Sequence, residues 1–94
     1  MEWIDIEPTH EEQLCRVEHF EIRKAHKDGH VVFLIVMREY LNPPDPSMRF
    51  TATADKQTNQ KTAAYTPMGW GSSQGLALWE CLQAIRRFPY EPVE

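Results

Sequence analysis

The 94-residue sequence predicts an α+β domain. The expected architecture is an antiparallel sheet of three to five strands with a C-terminal helix packed on one face and a short N-terminal helix, in the order α-β-β-β-(β)-α. Three observations carry this expectation. Residues 20–40 alternate between apolar and polar around a Lys27-Asp28-Gly29 turn signal, the pattern of a hairpin. Residues 72–88 carry an apolar stripe at helical spacing. The length suits one domain, because either half would be too small to hold a core.

The elements follow in order. Trp3-Ile4-Asp5-Ile6 is a short extended candidate ended by Glu7-Pro8. Thr9-His10-Glu11-Glu12 has the form of a capping box, and acids in the first turn suit a helix dipole, so a short helix is expected over about 10–16. Phe20 and Ile22 begin a strand. Lys27-Asp28-Gly29 turns it, since Asp-Gly supplies positive φ. His30–Tyr40 is a long strand with Val31, Phe33, Ile35 and Met37 on one face and Val32, Leu34 and Val36 on the other. His26 and His30 flank the turn and are expected to face each other, a modest pH-sensitive spot.

Three prolines in Asn42-Pro43-Pro44-Asp45-Pro46-Ser47 end that strand. Arg49–Ala54 alternates again, and Lys61–Thr66 reads as its return strand. This second hairpin is weak, since its inward side chains are mostly alanine. Pro67–Gly71 reads as a loop, with Ser72 or Ser73 capping the last helix and Pro89 stopping it. The helix stripe comprises Ala77, Leu78, Cys81, Leu82, Ile85 and Phe88. The whole is a single domain over 1–94: an acidic arm and short helix at 1–17, the sheet at 18–67, the helix at 72–88 and a tail at 89–94 that is frayed or draped on the surface.

Composition narrows the function classes. Hydrophobic residues are 41% and charged residues 26% of the chain, which is ordinary for a globular domain. The net charge of −4 argues against a sequence-indifferent binder of phosphate backbones. The charge is uneven: residues 1–22 hold seven acids and one base, whereas residues 23–63 hold seven bases and four acids. The acidic start lacks the basic and apolar regions of a secretory signal, and the longest apolar run, Val31–Met37, is far below the ~20 residues of a membrane helix. With Cys15 and Cys81 expected as reduced thiols, a cytoplasmic protein is expected, with no membrane association.

The chemistry-bearing residues are sparse. His10, Cys15, His19, His26, His30 and Cys81 show no zinc-site spacing, so no metal or other cofactor is expected. Cys81 lies on the buried stripe, and the N-terminal carboxylates have nothing to raise their pKa values, so no catalytic residues are assigned and an enzyme is not expected. A strand apolar on two faces needs two covers. One is the C-terminal helix. The other is either the N-terminal segment or a second chain, and an uncovered apolar face marks an interaction site.

The leading expectation is therefore a non-enzymatic protein-interaction module of adaptor or inhibitor type, including a phage-type inhibitor of a host nucleic-acid machine. Its partner is another protein or a second copy of itself. Val32, Leu34 and Val36 with the acidic Glu7, Glu11 and Glu12 are its expected contact residues.

Two further readings stand beside it. Gly69-Trp70-Gly71-Ser72-Ser73 before a helix can present N–H groups and hydroxyls to an anion or small ligand. The order helix, hairpin, further strand, long helix, together with Gly69-x-Gly71-Ser72-Ser73, Ala77 and Cys81-Leu82-x-Ala84, resembles double-stranded-RNA-binding domains over the last two-thirds of the chain. That resemblance implies nucleic-acid contacts, here through Arg23, Lys24, Lys27, Arg49, Lys56 and Lys61. Gln74 and Gly75 stand where that family grips phosphates with lysines, which places nucleic acid behind protein as a partner. The same final loop and helix is similar to the end of small antitoxin-like β-β-β-α domains.

Overall fold

Alternation at period two over residues 15–26 and 29–40 builds a long hairpin, β1 (Cys15–His26) and β2 (Gly29–Tyr40). It is followed by β3 (Phe50–Ala54), β4 (Met68–Gly71) and one helix, α1 (Gln74–Arg87). The computed structural model describes residues 1–92. The four strands form one antiparallel sheet in the order β1-β2-β3-β4, and α1 packs over its β3–β4 half. The molecule is elongated, 48 × 24 × 22 Å, because the hairpin runs on past the short strands.

The pairing register fixes the two faces. Phe20 lies opposite Ile35, Ile22 opposite Phe33, Met37 opposite Ala52, and Ala52 opposite Gly69. These residues share the helix side, where Val31, Phe33, Ile35, Met37, Ala52, Ala54, Ala77, Cys81 and Ile85 make one buried cluster. The side of β2 expected to meet the C-terminal helix is thus the buried one. The alanines of β3 and the glycines of β4 are small because the helix comes close. A Cβ on Gly69 would stand 2.4 Å from the Ala77 carbonyl oxygen and 2.7 Å from the Cys81 nitrogen.

Both helix ends are tied to β1. Ser73 caps the N-terminus, its Oγ accepting from Leu76 N–H at 3.2 Å, and Gln74 donates to Glu18 at 3.0 Å. At the other end the Lys24 ammonium donates to the Ile85 and Phe88 carbonyls at 2.7 and 2.8 Å, placing a cation on the negative end of the helix.

Several expectations are corrected. The N-terminal helix over 10–16 is absent: the helical turn in this arm is a 3-10 turn at Trp3–Asp5, where an extended segment is expected. Thr9 N–H does donate to the Glu12 carboxylate at 2.9 Å, yet the turn goes no further. Leu41 N–H bonds the Leu14 carbonyl and Cys15 pairs with Tyr40, so the long β ladder takes the residues the helix needs. The arm therefore ends at 14, and the sheet spans 15–71 rather than 18–67.

The return strand at Lys61–Thr66 does not form. Only Thr58 and Tyr65 bridge there, around a Thr58 side chain that is completely buried. The expected loop at 67–71 is instead strand β4. The positive φ in the first turn belongs to Lys27, at 54°, and not to the Asp28-Gly29 pair. His26 and His30 do not face each other. His26 pairs with Gly29 and turns to the helix side, against the Tyr90 ring at 5.2 Å, whereas His30 pairs with Ala25 on the other side. The tail is draped, not frayed, through residue 91: Tyr90 packs edge-on to Phe33 at 5.9 Å, Asn59 N–H bonds the Pro89 carbonyl at 2.7 Å, and Glu91 N–H donates to Gln60 at 2.7 Å. Val93 and Glu94 of the expected tail lie outside the described residues.

Candidate functional site: the open face of the sheet

Residues at alternate positions project from the sheet side away from α1. Register places Val17, Arg38, Thr51 and Trp70 in one row across the four strands, and His19, Val36, Thr53 and Met68 in the next. Glu21 with Leu34, then Arg23 with Val32, continue the face along the hairpin. Val17, Leu34, Met68 and Trp70 are each more than 40% exposed, whereas Val32 and Val36 are half-buried among neighbours on the sheet. No described element covers this face. The N-terminal turn, the expected intramolecular cover, sits elsewhere: the Trp3 ring lies under the Arg16 guanidinium at 5.8 Å, and Arg16 belongs to the helix side with its pairing partner Glu39.

Near the start of β1, the face runs into a depression of about 250 Å³ lined by Gln13, Tyr40, Pro44, Asp45, Met48 and Thr51. Asp45 shapes its rim by accepting from the Ser47 N–H and hydroxyl, both at 2.9 Å; these bonds hold its carboxyl below the usual range. Gln13 also lines a second concavity with Ile6, Glu7, Pro8, Glu12 and Leu14. Two of the three acids singled out in the sequence, Glu7 and Glu12, therefore line a concavity that shares Gln13 with the first depression. Glu11 is solvent-exposed beside His10. Cys15 lies on the same face; burial pushes its thiol up, against the pull of nearby Arg38.

The six cations of the nucleic-acid reading are not brought together. Arg23 is on the open face and pairs with Glu21 at 3.0 Å. Lys24 is on the opposite side, spent on the helix end, where burial lowers its pKa. Arg49 binds Glu39 at 3.0 Å and Lys56 binds Asp55 at 3.0 Å. Lys27 is at the hairpin tip and Lys61 in the 55–67 loop, and both are exposed.

The Gly69–Ser73 segment is divided between packing and capping. Gly69 and Gly71 are buried under the helix, Trp70 points to the open face, the Ser73 hydroxyl caps α1, and Ser72 is exposed. Among the described residues, no three His, Cys, Asp or Glu side chains cluster as a metal site. No helix of the described chain is long and apolar enough to cross a membrane.

Sequence reasoning misses Val17, Met68 and Trp70 as members of the open face. The signal is present for Val17, which continues the odd-numbered alternation of β1, but β4 has to be recognised as a strand before Met68 and Trp70 can join it. Also missed are Leu76 and Trp79, which stand out from α1 at 55% and 60% exposure. Trp79 borders a cleft of about 230 Å³ with Tyr65, Met68 and Phe88.

No protein-family model matches the chain, and neither the curated proteins nor the solved structures include a significant match to it.

Proposed function

We propose that the protein is a non-enzymatic interaction module, of adaptor or inhibitor type, whose contact surface is the open face of the sheet. One observation carries the reading: Val32, Leu34 and Val36 lie with Val17, Met68 and Trp70 on a sheet face that nothing in the described chain covers. Trp70 and several aliphatic side chains lie there among Thr51, Thr53, His19 and the Arg38 guanidinium, and aromatic and arginine side chains are the types enriched at interfaces. Glu7 and Glu12 line the concavity that meets the neighbouring depression at Gln13, and an acidic surface there suits a partner with basic residues flanking an apolar patch. The engagement of Lys24, Arg49 and Lys56 within the fold favours this reading over nucleic-acid binding.

The test uses the full chain as bait in an extract of its native host, beside Leu34→Lys and Trp70→Ala. Both side chains are exposed, so both variants are expected to fold. Stoichiometric retention of one protein by the native chain, lost by both variants, supports the proposal. Retention that neither variant alters, or salt-sensitive binding to duplex RNA in its place, overturns it.

A further inference from the structure

β1 is an edge strand twelve residues long, paired with β2 in unbroken register. The Leu41 N–H bond to the Leu14 carbonyl sets the phase of the ladder. Even-numbered residues of β1 bond β2, and the odd-numbered ones from Cys15 to Ala25 turn their N–H and C=O groups outward. Sheets ordinarily blunt such an edge with a proline, a bulge, short length, a covering element or charged side chains, and of these β1 carries the charges, Arg16, Glu18, Glu21, Arg23 and Lys24. β1 has no proline and no bulge, and α1 lies over the far half of the sheet. Phe20 and Ile22 remain half-buried on the helix side as a result.

The charges on this strand are self-complementary about Ile22. Glu18 and Glu21 precede it; Arg23 and Lys24 follow it. In an antiparallel seam with a two-fold axis at Ile22, Glu21 stands opposite Arg23 of the second copy, and Arg23 opposite its Glu21. On the helix side, Ile22 meets Ile22, Phe20 meets the stem of Lys24, and Glu18 meets His26. Neighbouring registers that keep both faces matched are worse. An axis at Glu21 sets that carboxylate against itself, and an axis at Phe20 sets Arg16 against Lys24. Trp3, over Arg16, lies outside the paired stretch.

We infer that the β1 edge is the seam of a homodimer, in register about Ile22, which joins two four-stranded sheets into one. The inference rests on the strand edge and is independent of the function proposed above. It makes the two open faces one continuous surface.

Sedimentation equilibrium of the full chain over a wide concentration range tests it. The native chain is expected at twice its chain mass. Glu21→Arg and Arg23→Glu each create two like-charge contacts by symmetry, and each is expected to raise the dimer dissociation constant on the order of tenfold or more. Mixing the two variants, one basic and the other acidic at both positions 21 and 23, restores the dimer, and so does the double variant Glu21→Arg/Arg23→Glu. Both side chains are exposed, and a melting curve for each variant checks its fold. A native chain that stays monomeric throughout, or a dimer that neither charge reversal weakens, overturns the inference.

Discussion

Two glycines in this chain do opposite things. A side chain at Gly69 would run into the backbone of α1, at Ala77 and Cys81, where neither wall is a flexible tip. Gly69→Ala is expected to cost at least about 1–3 kcal/mol, because it forces helix and sheet apart. A methyl group added at Gly29 would meet nothing within 4 Å, and the residue has no positive φ. Gly29→Ala is therefore expected to change stability by no more than about 0.5 kcal/mol. Urea denaturation of the two variants checks the contrast. The cysteines separate in the same way. Burial pushes the Cys81 thiol up to about 11 and leaves it fully enclosed, whereas Cys15 is only half-buried. A thiol reagent at mildly alkaline pH is expected to modify Cys15 in the folded protein and Cys81 only after unfolding.

At the scale of elements, the hairpin and α1 are legible in the sequence because each shows its period over many residues. The alternation of Val31–Met37 and the stripe Ala77, Cys81, Ile85 are both long enough to outvote local ambiguity. β4 is not legible, because glycines at 69 and 71 carry the local signature of a loop. Their smallness belongs to a contact with α1, and that contact is absent from any local window. The alanines of β3 mislead for the same reason: they mark close packing, not a weak strand. The N-terminal helix fails through competition. Its capping residues make their bond, but Leu14 and Cys15 gain more from the ladder with Leu41 and Tyr40.

Lys24 shows what sequence composition cannot assign. It reads as a surface cation, yet it closes the C-terminus of α1. Lys24→Met is expected to destabilise the fold by about 1–2 kcal/mol, measured by denaturant titration at neutral pH, because two helix carbonyls lose a charged donor.

For the whole molecule, the carboxylates set the acid response. Desolvation acts to raise the Asp55 pKa, but the Leu34 N–H and the Lys56 ammonium outweigh it and hold the carboxyl below its usual 3.8. A lowered folded-state pKa contributes stability that is present above the unfolded value and is lost as pH falls through the folded one. Asp55 therefore supports the β2–β3 junction above about pH 4 and releases it below that. Asp55→Asn is expected to flatten the acid limb of a stability–pH curve measured by urea midpoints.

The candidate site divides along the same line. Val32, Leu34 and Val36 are readable as a second apolar face from alternation alone. Which segment covers them is a matter of tertiary packing, and the N-terminal arm instead anchors at Arg16 on the opposite side.

One face of the sheet is covered and the other is open, and adjacent residues of β2 test that division. Phe33 is completely buried and Leu34 is 46% exposed. Unfolding free energies of Phe33→Ala and Leu34→Lys, measured side by side, give the most direct answer. The predicted result is a loss of about 3–5 kcal/mol for Phe33→Ala and no more than about 1 kcal/mol for Leu34→Lys. A loss for Leu34→Lys comparable to that for Phe33→Ala would mean that the second face is covered in the folded protein, and would contradict an open contact surface.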